Sequence, residues 1–342
     1  MSSKPTLMYQ DVRDIPEAVE RLLHHGERAI ADAAQRARDL DPPYFISVAR
    51  GSSDHAASFL KYAAELLQQR PMASVGPSVS SIYGVNLKVR GTVSLSVSQS
   101  GQSPDIVQMT EALRNAGALT VAITNDVRSR LAKASDATLP IHAGPEVSVA
   151  ATKTFVTSLV AGLWFLAEMQ GDTELVAAIR ALPNVLERAT CCDWSSVAAA
   201  IDGQSLYTLG RGPSWAVSNE AALKFKETCL IHAESYSSAE VLHGPVSIVD
   251  QGFPVIAFAA RDKAERRLAE TADALAAKGA RVFAVTDQVT DATPLPHVRT
   301  GHWVCDPIAA IVSFYAMVEN VAVARGIDPD APRHLNKVTE TI

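Results

Sequence analysis

Apolar positions along the chain follow two periods in alternation. Runs with strand spacing lie at 44–49, 72–75, 92–97, 119–124 and 137–141, and stretches of helical spacing separate them, among them 56–68, 105–115 and a long apolar run at 151–169. Ahead of these, residues 8–40 place Ile15, Val19, Leu22 and Leu23 on one helical face and continue through good helix formers from Ala29 to Arg38. Strands that alternate with helices predict an α/β fold, with a parallel sheet covered by helices on both faces.

The pattern then recurs about 161 residues later. Residues 206–214 repeat the strand and turn of 45–53, with Arg211-Gly212 in register with Arg50-Gly51. Gly84 falls against Gly244 and Gly91 against Gly252, a strand at 254–258 repeats 93–97, and 278–287 matches 116–125. The chain therefore reads as two copies of one α/β domain, at 36–172 and 198–330. A helical segment (1–35) precedes them, a helical linker (173–197, clearest at 175–189) joins them, and a tail (331–342) follows.

Composition changes this picture only by exclusion. The 342 residues are 47% hydrophobic and 20% charged, as in soluble globular proteins, and they suffice for two domains. A formal net charge of −6 with no run of like charge argues against a nucleic-acid partner, so anionic ligands must be held locally. The first residues lack the apolar core of a signal peptide, and no uncharged stretch reaches the ~20 residues of a membrane span; the expectation is a cytoplasmic protein with no membrane partner. Cys191, Cys192, Cys229 and Cys305 have no metal-site spacing and read as reduced thiols.

One loop carries the first candidate chemistry. Ser98-Gln99-Ser100-Gly101-Gln102-Ser103 leads from a strand into a helix, presenting hydroxyls, free backbone N–H groups and a helix N-terminus to one point. Two readings fit it: a phosphate site, or an ordinary polar loop with a Ser N-cap. The repeat sharpens the choice, because the second copy has Ala259-Ala260-Arg261 there. Conversely, Ala63, Leu66 and Tyr83 of the first copy stand against Lys224, Glu227 and His243 of the second. An anion site in the first copy and titratable chemistry in the second, facing it, are the expectation.

The second copy holds its titratable groups in three places. Glu220, Lys224 and Glu227 share one face of a helix predicted over 215–228, either as a solvated ion-pair face or as a catalytic cluster. Ile231-His232-Ala233-Glu234-Ser235-Tyr236 is dense in such groups, with His232 reading first as a structural histidine. Glu240-Val241-Leu242-His243-Gly244-Pro245 sets a histidine before a Gly-Pro turn, where an imidazole can move protons near neutral pH. In the tail, Lys337 is either solvated or functional.

Several of these stretches together resemble the sugar isomerase (SIS) domain pair of glutamine–fructose-6-phosphate aminotransferases, and stand-alone SIS-type glucosamine-6-phosphate deaminases. The carriers are Arg50-Gly51-Ser52-Ser53, the Ser98–Ser103 loop, Glu146-Val147-Ser148-Val149-Ala150-Ala151-Thr152-Lys153, Ala222-Leu223-Lys224-Phe225-Lys226-Glu227, His232-Ala233-Glu234, His243-Gly244-Pro245 and the tail ending in Lys337. The resemblance implies two tandem SIS domains, each a flavodoxin-like three-layer sandwich. It implies sugar-phosphate binding by Ser53, Ser98, Gln99, Ser100 and Ser103, with main-chain contacts near Val149 and at Asn336. It makes Glu227 the C1/C2 proton carrier, His243 the ring-opening acid/base, Lys224 the support of Glu227, and Lys337 the amine that forms a Schiff base with the ketose.

It further implies a homodimer in which His243 serves the partner's site. Ala151 stands where the synthases have Ser, and Asn336 where they have Ala, so contacts to the sugar differ there. Ser2 follows Met1 where the synthases begin a glutaminase domain with Cys, and only about forty residues precede the first strand; the expectation is no use of glutamine. An isomerase/deaminase converting glucosamine 6-phosphate to fructose 6-phosphate and ammonia follows, without metal, nicotinamide or pyridoxal phosphate. The alternatives are action on another amino-sugar or fructosamine 6-phosphate, and a non-catalytic sugar-phosphate sensor.

Overall fold

A computed structural model describes residues 5–335 and 337. The first sheet contains β1 (Phe45–Val48), β2 (Met72–Ser74), β3 (Val93–Val97), β4 (Leu119–Thr124) and β5 (Ala137–Pro140) in the order β2-β1-β3-β4-β5. The second contains β6 (Ser205–Gly210), β7 (His232–Ser237), β8 (Pro254–Ala257), β9 (Arg281–Ala284) and β10 (Thr293–Pro294) in the order β10-β9-β8-β6-β7. Every pairing is parallel: Phe45 is opposite Met72 and Val93, and Tyr207 is opposite Glu234 and Val255. Numbered within each copy, both sheets run 2-1-3-4-5, the flavodoxin-like order. The repeat read from sequence is thus a repeat of topology.

Side-chain alternation along the strands explains the three layers in each copy. In the first, Ile46, Val48 and Ala122 pack with Ile106, Met109 and Leu113 of the helix Pro104–Asn115, and Ser96 bonds Thr110 of that helix at 2.8 Å. In the second, Tyr207, Leu209, Val255 and Ala257 pack with Leu268, Ala272 and Leu275 of the helix Glu265–Ala276. Thr208 points the other way, and its Oγ1 donates to the carbonyl of Ser218 at 2.9 Å in the helix Pro213–Cys229. That helix packs in turn on Asp306–Ala324, with Phe225 and Phe314 edge to face at 5.3 Å. The segment Trp303–Ala324 is long and apolar enough to cross a membrane, with mean hydropathy 1.6, but 78% of its apolar window is buried inside the fold, as in a core helix.

Both copies start their first helix in the same way. Gly51 and Gly212 each sit at the N-cap with φ 56° and ψ −135°, a conformation essentially closed to residues with a Cβ. The chain forms two compact units that interleave along the sequence, whereas the sequence reading drew contiguous boundaries. One contains 17–146 and 153–180 together with Lys337; the other contains 5–16, 147–152 and 181–335.

Local differences from the sequence reading have physical causes. The helix expected over 8–40 is three helices, Leu7–Arg13, Ile15–His25 and Glu27–Leu40. The last break falls at Gly26, where a Cβ would lie 2.7 Å from the Leu22 carbonyl oxygen. The charged segment 231–236 is largely strand β7 at the sheet edge, where Ala233 turns inward and the polar residues are exposed or half-buried.

Candidate active site

The Ser98–Ser103 loop is fixed by its own backbone and side chains. Gly101 N–H donates to Ser98 Oγ at 3.2 Å, and Gln102 N–H donates to Ser100 Oγ at 3.3 Å. Outside the loop, the Gln99 carbonyl accepts from Asn125 N–H at 3.0 Å and the Gly101 carbonyl from Leu131 N–H at 3.0 Å. Gly101 has φ 62°, and a Cβ on it would lie 2.3 Å from Ser129 Oγ, so only glycine closes this turn. Ser103 occupies the N-cap position of the helix Pro104–Asn115, yet its side chain makes no capping bond. The ordinary N-cap reading therefore fails for Ser103.

β1 and β3 are neighbours at the point where the strand order reverses, the usual ligand crevice of such sheets. The loop after β1 carries Arg50 and Ser53, the latter half-buried in the first helical turn. Arg50 Nε and Nη2 each lie 3.0 Å from Oδ2 of Asp105, which is buried in the first turn after the Ser98–Ser103 loop. The pairing offsets a negative charge that would otherwise repel an anion from this helix N-terminus.

In the other unit, Lys224 lies between two carboxylates. Its Nζ is 3.3 Å from Glu220 Oε1 and donates to Glu227 Oε2, while the Tyr315 hydroxyl donates to Glu220 Oε1 at 3.1 Å. Lys224 and Glu220 have no exposure, whereas the Glu227 side chain keeps 19%. The solvated-face reading is thereby corrected: the cluster is buried, with Glu227 as its outward end. Burial opposes the Lys224 charge, but Glu220 and Glu227 outweigh it and hold the ammonium up at about 12. Lys224 is thus a fixed cation, not a proton carrier near neutral pH.

His243 is exposed, just beyond the short helical turn Glu240–Leu242. His232 is exposed at the start of β7, its Nδ1 3.3 Å from Ser205 Oγ. Val149 lies in a turn held by Asp11, whose Oδ2 accepts from Ser148 N–H at 3.3 Å and from Ser148 Oγ at 2.9 Å. Lys337 Nζ donates to Glu146 Oε2 at 2.7 Å. That carboxylate is buried and also accepts from Thr154 N–H and Oγ1, at 3.1 and 2.7 Å. Asn336 lies outside the described residues.

Within one unit the structure brings Ser53 and the Ser98–Ser103 loop to adjacent strand ends; within the other it joins Glu227 to Lys224. Sequence reasoning missed Tyr315, Glu146 as a partner of Lys337, and the Arg50–Asp105 pair. Asp105 was open to inference, since an acidic residue in the first turn of a helix expected to bind an anion calls for a cation nearby. Among the described residues, no cluster of three or more His, Cys, Asp or Glu has metal-binding geometry.

The SIS domain model matches residues 45–168 and 201–319. Glutamine–fructose-6-phosphate aminotransferase from Sulfurisphaera tokodaii is 31% identical over 97% of this chain and 56% of its own length, so the chain spans a little over half of that relative. A candidate phosphosugar isomerase from Silicibacter pomeroyi DSS-3 is 59% identical with TM-score 0.93, covering 95% of this chain and all of the other. The C-terminal domain of glucosamine-fructose-6-phosphate aminotransferase from Francisella tularensis is 25% identical with TM-score 0.83, covering 96% of this chain and 99% of that domain. With both copies matched and the same sheet order in each, the chain belongs to the SIS domain family.

Proposed function

We propose that this protein is an amino-sugar phosphate isomerase and deaminase, converting glucosamine 6-phosphate to fructose 6-phosphate and ammonia. The observation that carries the reading is the Glu220–Lys224–Glu227 cluster: a carboxylate held at a buried, permanent cation and reaching solvent, on a helix where the first copy has apolar residues. Such a group suits moving a proton between adjacent carbons.

The sugar phosphate is anchored by Ser53, Ser98, Gln99, Ser100 and Ser103. His243 opens the ring, delivering a proton to the ring oxygen as the C1 hydroxyl loses one. Glu227 then takes the C2 proton to give an enaminol, and protonation at C1 gives the C2 imine. The Lys337 amine replaces ammonia at C2, and water releases the ketose from the lysine. Each step moves protons, water or ammonia, so no redox partner enters. Lys337 Nζ donates to Glu146 and attacks C2 as the neutral amine.

Exposure of His243 beside Leu242 and Ile248, 49% and 54% exposed, supports a homodimer in which this loop completes the site of a second copy. A cytoplasmic location accords with such a substrate. Incubating the pure protein with a panel of hexosamine 6-phosphates, and with fructose 6-phosphate plus ammonium, tests the reading when ammonia and ketose phosphate are both assayed. Equal release of the two from glucosamine 6-phosphate supports it; binding of every sugar phosphate without turnover of any replaces it with the sensor reading.

A further inference from the structure

The loop that carries His243 is tied to the sheet beneath it by a hydrogen bond. Tyr207, in the central strand β6, is 1% exposed, and its hydroxyl donates to the carbonyl of Pro245 at 3.1 Å. Pro245 lies two residues beyond His243. The phenol is held by what surrounds it: its ring meets Tyr236 edge to face at 5.0 Å and Phe253 at 4.9 Å, and the Tyr236 hydroxyl donates to Glu234 Oε2 at 2.7 Å. Val241 on one side of His243, and Val246 and Val249 on the other, pack into the same core cluster, while His243 itself stays exposed. The turn is thus fixed at its flanks by apolar packing and near its middle by one hydrogen bond.

We infer that Tyr207 is a positioning residue for His243: its buried hydroxyl sets where the Gly244-Pro245 turn sits, and so where the imidazole is presented to the sugar ring. This rests on the ring-opening role proposed for His243, and nothing in the sequence pointed to Tyr207, which read only as an apolar strand position. Burial, with the Glu234 charge nearby, pushes the Tyr207 phenol above its ordinary range, so it stays a donor throughout the pH range of an acid–base enzyme. Donation from a rigid aromatic ring leaves the carbonyl little freedom, whereas an unanchored turn of this length would sample several conformations.

Tyr207→Phe removes the donor and keeps the ring. The variant should turn over the cyclic substrate about two- to tenfold more slowly, the range for losing one neutral hydrogen bond. Exchange of the C2 hydrogen with solvent deuterium should be unchanged on an analogue that lacks the ring-closing hydroxyl, and combining the change with His243→Asn should add no further loss. Phe253→Leu, which alters the packing on the Tyr207 ring but leaves its hydroxyl and the Pro245 bond in place, serves as the control for packing. Equal slowing on both substrates, or additive losses in the double variant, would overturn the inference. Amide hydrogen exchange tests the anchor without any activity: protection at 240–248 should fall further in Tyr207→Phe than in Phe253→Leu. Unchanged protection there refutes the anchor even if the enzyme is active, whereas lost protection in a protein that turns over nothing would fault the functional reading and leave the anchor standing.

Discussion

Lys224 and Glu220 form an ion pair, Nζ to Oε1 3.3 Å, in which neither side chain has any solvent exposure. Buried pairs of this kind gain little net stability, but breaking one leaves a charge stranded in the core. Lys224→Met should therefore cost about 3–5 kcal/mol by urea denaturation, and adding Glu220→Gln should return much of it. The folded-state pKa of about 12 lies above the ordinary 10.5 for Lys. The stabilisation is therefore whole below the ordinary value and is lost as pH climbs through about 12. A Lys224→Met variant as stable as the wild type would show that the two carboxylates do not need the cation.

The Ser98–Ser103 loop, proposed to hold the phosphate, offers a cleaner test than its first serines allow. Ser98 and Ser100 accept backbone N–H bonds that shape the loop, so replacing them alters the backbone as well as the ligand contacts. Ser103 makes no capping bond. Ser103→Ala should weaken sugar-phosphate binding about ten- to a hundredfold, as for a lost donor to a charged acceptor, and leave the melting temperature in place. Calorimetry showing unchanged affinity would remove Ser103 from the site.

The architecture was legible where the repeat made it so. Arg50-Gly51 and Arg211-Gly212 stand in register, and the structure gives both glycines the same φ and ψ, because the same strand-to-helix turn is built twice. Spacing also put Glu220, Lys224 and Glu227 on one helix face. Spacing could not say whether that face meets water, since the answer depends on the helix Asp306–Ala324 and on Tyr315, far away in sequence. β7 was hidden for a related reason: as an edge strand it exposes His232 and leaves Glu234 half-buried, so its strand pattern is masked by charge.

Glu319 gives a pH-dependent test outside the site. It is buried in the helix Asp306–Ala324 and accepts from Thr6 Oγ1 at 2.7 Å. Burial pushes its carboxyl above the usual range, with Asp330 adding to the shift. The folded state then holds the proton more tightly than the unfolded chain, so this residue's contribution is full at low pH and declines as pH rises above the ordinary value of 4.5. Glu319→Gln keeps the acceptor for Thr6 and removes the titration. Its melting temperature relative to wild type should rise between pH 4 and pH 8. A difference that is flat across that range would mean that Glu319 titrates normally.

Glu227 and His243 should fail at different steps, and in different chains if the protein is a dimer with shared sites. Glu227→Gln keeps the contact with Lys224 but removes basicity, so substrate should still bind while C2 hydrogen exchange with solvent deuterium falls by about 10²–10⁴-fold. His243→Asn should slow the cyclic sugar and spare exchange on an analogue that cannot close its ring. Each homodimer is then impaired on glucosamine 6-phosphate for its own reason. When the two are mixed under conditions of subunit exchange, a heterodimer with crossed sites assembles one site that lacks both groups and one that holds both. Activity should return toward a quarter of wild type, since half of the dimers are mixed in a random exchange and each has one competent site. Proven exchange with no return of activity would place Glu227 and His243 of the same chain in one site, because every site in the mixture would then lack one of them.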